Sequence, residues 1–124
     1  QRLGTCAHLC GLVRTSAGGV GLADCLSLDE LAEGGADLVG RRSLDPVALL
    51  GLPRREVALS EVADISCGRK IALGGVLEGG SVRVPRPEER VALCFDGALV
   101  GIWQRRGTCL ACQTNFPQAI EGVK

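Results

Sequence analysis

The spacing of apolar positions along the chain changes character near residue 11. Leu3, Ala7, Leu9 and Cys10 fit one face of a helix, which predicts the end of a helix over residues 1–10. From Leu12 to Thr15 the pattern reads as extended, and the small residues Ser16–Gly21 predict a loose continuation. Ser27-Leu28-Asp29-Glu30 is a capping box: the Ser27 side chain can accept from the Glu30 amide while Glu30 reaches back to Ser27. It predicts a short helix over 28–33, ended by Gly34-Gly35. Ser43-Leu44-Asp45-Pro46 offers a second helix start, with Pro46 suited to the first turn. Pro53 and Arg54-Arg55-Glu56 then mark a boundary.

Beyond that boundary the periodicity is mostly that of strands. Val57-Ala58-Leu59 predicts a short strand, and Ser60 caps a helix that buries Val62, Ile65 and Cys67 and stops at Gly68. Ile71–Leu73 and Ser81–Val84 are extended, with glycine turns between them and Pro85-Arg86-Pro87 after them. The clearest local signal is Asp96-Gly97 between the apolar runs 90–95 and 98–104, a type I′ hairpin. Leu110–Phe116 predicts a last strand, and the tail is expected to fray. One short helix and several strands fit a small barrel.

Composition narrows the function classes. The 124 residues allow one domain or two very small ones. Net charge is zero, so any RNA binding has to use a local patch or a second segment. Three aromatic side chains, Phe95, Trp103 and Phe116, argue against a base-stacking platform. No run of about 18 apolar residues is present to span a membrane. Seven cysteines at irregular spacing fit reduced thiols in a cytosol or an organelle matrix, with the mitochondrion included. A first residue of Gln and the lack of Met are expected of a processed product or a piece of a longer chain.

Candidate chemistry is sparse. His8, alone on a predicted helix, reads as structural. Cys6, Cys10, Cys109 and Cys112 allow a four-cysteine zinc module as an alternative, whereas Cys25, Cys67 and Cys94 look like core. No phosphate loop or dinucleotide fingerprint is present. Arg14, Arg69-Lys70 and Arg105-Arg106 are candidates for phosphate contact, against the usual fate of short basic pairs as a solvated face.

The ordered run Leu3, Gly4, Ala7, His8, Leu9, Leu12, Arg14, Thr15 and Gly18 resembles the closing segment of the catalytic domain in the TruB family of tRNA pseudouridine synthases. Leu26–Leu31 and Leu44-Asp45-Pro46 continue the likeness, which is looser from Val57 onward, where the family carries a PUA-type RNA-binding barrel. The resemblance implies an α+β fold: a remnant of the mixed pseudouridine-synthase sheet with short helices over 1–54, then a small PUA-like β-barrel over 55–124. It implies that Leu12 packs near a uridine flipped out of the RNA and that Arg14 lies close to it. The family's catalytic aspartate motif, G-x-L-D-x-x-A-x-G, and its pocket tyrosines belong upstream, and this chain has no Tyr. Gly34–Gly40 resembles that motif faintly and in the wrong place, so Asp37 is expected in a loop.

The expectation is therefore an RNA-binding portion without catalytic residues or a cofactor. It would bind Leu12 and Arg14 to substrate, and Arg69, Lys70, Arg105 and Arg106 to structured RNA, tRNA or rRNA. A protein partner or a missing N-terminal half would complete it. The roles open to it are a structural subunit of a ribonucleoprotein such as an organellar ribosome, or half of an active synthase.

Overall fold

The structure, a computed structural model, describes residues 4–124; Leu3 and the start of the helix predicted over 1–10 lie outside the described residues. From Gly4 to Thr15 the chain forms no helix and is exposed throughout. The apolar positions Leu9, Leu12 and Val13 are exposed, with no cover from the described residues, and helices this short form in water only when packing supports them. The expected loose stretch is instead a small hairpin, β1 (Ser16–Ala17) paired with β2 (Val20–Gly21), turned by Gly18 and Gly19 at positive φ.

Helix α1 (Leu28–Arg42) starts at the predicted box: Ser27 Oγ accepts from Glu30 N at 3.2 Å and Ser27 N donates to Glu30 Oε2 at 2.8 Å. The predicted stop is a kink, since Gly35 leaves helical geometry at φ 56° and the helix then resumes. A Cβ at Gly34 would lie 2.4 Å from the Leu38 side chain, so only glycine admits that packing across the break. Asp37 is thus helical, not in a loop. Helix α2 (Pro46–Leu50) has Pro46 in its first turn and Asp45 as its cap, with Asp45 Oδ1 accepting from Val47 N at 2.9 Å and from Ala48 N at 3.3 Å.

Strand β3 is Arg54–Glu56, three residues earlier than the apolar pattern predicts. The shift has an electrostatic cause. Glu61 folds back to accept from Ala58 N at 2.9 Å, so the helix α3 (Leu59–Ser66) is capped at Ala58 and not at Ser60. The same carboxylate pairs with Arg55 at 2.7 Å, which lets a charged strand residue be buried. Gly68, at φ 70°, ends α3 as predicted, with Gly68 N donating to Ile65 O and Arg69 N to Asp64 O. Ile65 is buried and Val62 half-buried, but Cys67 is exposed, as is Cys25; of the three cysteines expected in the core only Cys94 is there.

The remaining strands are β4 (Ile71–Ala72), β5 (Val76–Glu78), β6 (Ser81–Arg83), β7 (Arg90–Phe95), β8 (Ala98–Arg106) and β9 (Cys109–Glu121). With β3 they form one mixed seven-stranded sheet, order β4-β9-β8-β7-β3-β5-β6, in which only β3 and β7 run parallel. The protein is α+β. Asp96 and Gly97, at φ 50° and 75°, make the predicted hairpin turn.

Two clusters hold the sheet. One face packs Trp103, Leu93, Leu110 and Val91 with Ile65 of α3; the other packs Ala92, Cys94 and Leu99 with Val47 of α2. Each fully buried Val or Leu contributes about 1.5–3 kcal/mol relative to exposure. A bulge lets β8 serve both: the register is Cys94↔Leu99 near the turn but Leu93↔Gly101 beyond it. The tail does not fray. Val123 N donates to Gly97 O, Lys124 N to Asp45 Oδ2, and Lys124 O accepts from Arg54 Nη1, at 3.0–3.1 Å. Asp45 caps α2 with one carboxylate oxygen and holds the tail with the other.

Candidate nucleic-acid interface

The structure sorts the predicted contact residues into two places. Leu12 and Arg14 lie on the irregular segment before β1, both exposed, Leu12 at 77%. Arg14 opens on a groove of about 280 Å³ lined by residues of β1, β2 and the turn to Cys25, all within residues 14–25. His8 is exposed on the same segment, its Nε2 lying 3.6 Å from Cys10 Sγ.

The other four meet at one end of the sheet. Strand β9 lies between β4 and β8, so Ile71, Leu110 and Arg105 form one row across three strands, and Ala72, Cys109 and Arg106 form the next. Arg69 and Lys70 lead directly into β4. The two rows face opposite ways, because successive side chains alternate across a strand. The Arg105 row belongs to the core face, and its guanidinium is spent on structure: Nη1 donates to Pro85 O at 2.6 Å and Nε to Gly107 O at 2.9 Å. Arg69 lies 3.5 Å from Asp64 at the end of α3, with both side chains exposed. Arg106 faces outward and pairs with Glu88 at 2.9 Å, each side chain more than half exposed. Such a solvated pair holds weakly, at most about 1 kcal/mol. Lys70 is exposed with no ion pair among the described residues.

Sequence reasoning missed Arg90. The β7–β8 register sets Arg90 opposite Gln104, two positions from Arg106 on the outward face. It is exposed and has no side-chain partner among the described residues. Gln104 is fixed between them: its Nε2 donates to Glu88 O at 2.7 Å, and its Oε1 accepts from Gln113 Nε2 at 3.0 Å. The outward face near this end therefore carries two arginines about a fixed chain of amides.

No comparable convergence marks a metal centre. Cys109 and Cys112 are three apart on a regular stretch of β9 and so face opposite ways, which separates the pair that the zinc alternative requires. Among the described residues no group of three or more His, Cys, Asp or Glu side chains is placed to hold a metal ion. Likewise, no helix among them is long and apolar enough to cross a membrane.

These features describe an α+β chain with an outward basic edge on a mixed sheet. Comparison with known proteins gives the family. The chain is 35% identical over 94 residues to the tRNA pseudouridine synthase B of Mycobacteroides abscessus, covering 76% of this chain and 30% of the relative. It is 35% identical over 98 residues to the protein of that name from Geobacillus thermodenitrificans, covering 75% and 32%. With that of Streptococcus mutans serotype c it shares 30% over 110 residues, covering 87% and 33%. The chain is thus a relative of the tRNA pseudouridine synthase B family and spans about a third of the length of the curated relatives it matches. No family model matches it, and neither does a solved structure.

Proposed function

We propose that this chain is the RNA-binding C-terminal portion of a TruB-like tRNA pseudouridine synthase, not catalytic by itself. The observation that carries the reading is the match of three quarters or more of this chain to about a third of each tRNA pseudouridine synthase B. On this reading residues 1–54 are the closing segment of a catalytic domain, and 55–124 are a PUA-like module that holds structured RNA, tRNA or rRNA. Leu12 and Arg14 stand at the substrate. Lys70 and Arg106 contact phosphate from the sheet edge, with Arg69 beside them, while Arg105 holds the edge in shape. The role extends to a structural subunit of a ribonucleoprotein such as an organellar ribosome, in a reducing compartment.

A second reading, half of an active synthase completed by an upstream segment or a second chain, is favoured by one specific feature. No residue from 4 to 44 is buried, and Leu9, Leu12 and Val13 are each about three-quarters exposed. A segment with that much apolar surface and no core of its own is suited to pack on another body.

The test is an assay of the chain with an unmodified tRNA transcript carrying tritium at uracil C5. Retention of the transcript without tritium release is expected of the chain alone. Release by the chain alone contradicts the first reading, and failure to retain the RNA contradicts both.

A further inference from the structure

We propose that Arg90, Arg106 and the fixed amide of Gln104 form a seat for the phosphodiester backbone of RNA, and that Glu88 occupies this seat as an internal anion when RNA is absent. The inference rests on the RNA-binding reading above and adds a site to it.

Four observations carry it. Arg90 and Gln104 are cross-strand partners, and Arg106 is two positions further along the same face, so the two arginine Cα atoms are about 8 Å apart at ordinary strand spacings. Long side chains at that separation can reach one phosphate or two neighbouring ones. Second, Arg90 has no partner among the described residues, and Arg106 has only the exposed Glu88. Third, the floor between them is already ordered, because the Gln104 amide is held by Glu88 O on one side and by Gln113 on the other. A pre-set polar floor lowers the ordering cost of binding.

Fourth, Glu88 itself sits at φ 61°, a conformation that side-chain-bearing residues seldom adopt. The surrounding turn enforces it. Glu89 accepts from Arg86 N at 2.7 Å and from both Nη atoms of Arg83 at 2.6–2.7 Å, and Arg105 N donates to Glu89 O. This scaffold presents the Glu88 carboxylate to Arg106, where a carboxylate stands in for a phosphate oxygen. A phosphodiester that engages both arginines replaces a single solvated ion pair with two charge-assisted contacts.

The test uses the full chain and an unmodified tRNA transcript, with dissociation constants measured over a series of salt concentrations. Arg90→Gln is expected to weaken binding several-fold and to lower the slope of log K against log salt by about 0.7–0.9, the value of one phosphate contact. Glu88→Gln is expected to tighten binding. Arg41→Gln, an equal charge change on the exposed end of α1, is expected to leave the slope unchanged. Wild-type slopes equal to those of Arg90→Gln, or equal losses from Arg90→Gln and Arg41→Gln, overturn the seat while leaving RNA binding intact. Absence of wild-type binding overturns both. Competition by poly-glutamate as effective as that by RNA, with the same dependence on Arg90, assigns the face to an acidic protein and also overturns the proposal.

Discussion

Trp103 donates its indole N–H to Asn115 Oδ1 at 2.9 Å, and Asn115 in turn donates Nδ2 to the carbonyl of Ile65 at 2.6 Å. One amide thereby ties the buried centre of β8 to β9 and to α3. Asn115→Leu leaves the buried indole N–H without a partner and takes from the Ile65 carbonyl one of its two donors, Gly68 N remaining, a cost of about 1–3 kcal/mol. The midpoint of urea unfolding is expected to fall accordingly. Because Trp103 is the single tryptophan, its fluorescence reports the local change without interference. An unchanged midpoint contradicts the role given to Asn115.

Acid is expected to weaken the fold through the β6–β7 turn. Hydrogen bonds from Arg83 hold the Glu89 carboxyl down at about 2, from an ordinary value of 4.5. A carboxylate lowered on folding adds stability that is complete above its unfolded value and is lost as pH falls through the folded one. That window is therefore about pH 4.5 to 2. Glu61, lowered by its bonds from Arg55, acts in the same direction. Unfolding free energy should drop across this range, and Glu89→Gln should drop less steeply, as thermal melts at stepped pH will show.

Thiol reactivity should divide the cysteines by position. Burial pushes the Cys94 thiol up to about 11, against a smaller opposing pull from Arg54. Cys10, Cys25, Cys67 and Cys112 are exposed. A thiol reagent at neutral pH is expected to modify these four quickly and Cys94 only on unfolding. Modification of Cys94 at the rate of the exposed thiols contradicts the burial.

Asp45→Ala removes a helix cap and the anchor of the tail together. The cap alone is worth about 0.5–2 kcal/mol. Hydrogen exchange should accelerate at the amides of Val47, Ala48 and Lys124, which Asp45 now accepts. Exchange that rises at α2 but not at Lys124 contradicts the double role.

Features written in local chemistry were legible in the sequence. The Ser27–Glu30 box, Pro46 after Asp45, the Gly68 stop and the Asp96-Gly97 turn each depend on neighbours within a few positions, and each appears where predicted. Features that depend on distant partners were not. Arg55 reads as a boundary charge until Glu61 is seen beside it. The helix predicted over 1–10 has no packing surface from Gly4 onward, and propensity alone does not hold it. The tail looks frayed until Asp45, Gly97 and Arg54 are brought to it.

Among the candidate contacts, basic character was visible but orientation was not. A two-residue turn at Asp96-Gly97 with regular pairing would set Arg90 opposite Trp103. The bulge after Leu93 shifts the pairing by one, sets Arg90 opposite Gln104, and gives Trp103 to the core. Arg105 and Arg106 look equivalent in sequence, yet alternation sends one to the carbonyls of Pro85 and Gly107 and the other to the open face.

The central claim is that this chain recognises folded RNA through shape and phosphate positions rather than through stacked bases. It is tested most directly by competition for the full chain between a tRNA transcript and an unstructured RNA of equal length at fixed salt. The account predicts that the folded transcript displaces the unstructured strand and is not displaced by an equal amount of it. Equal competition by the two, or preference for the unstructured strand, would contradict it.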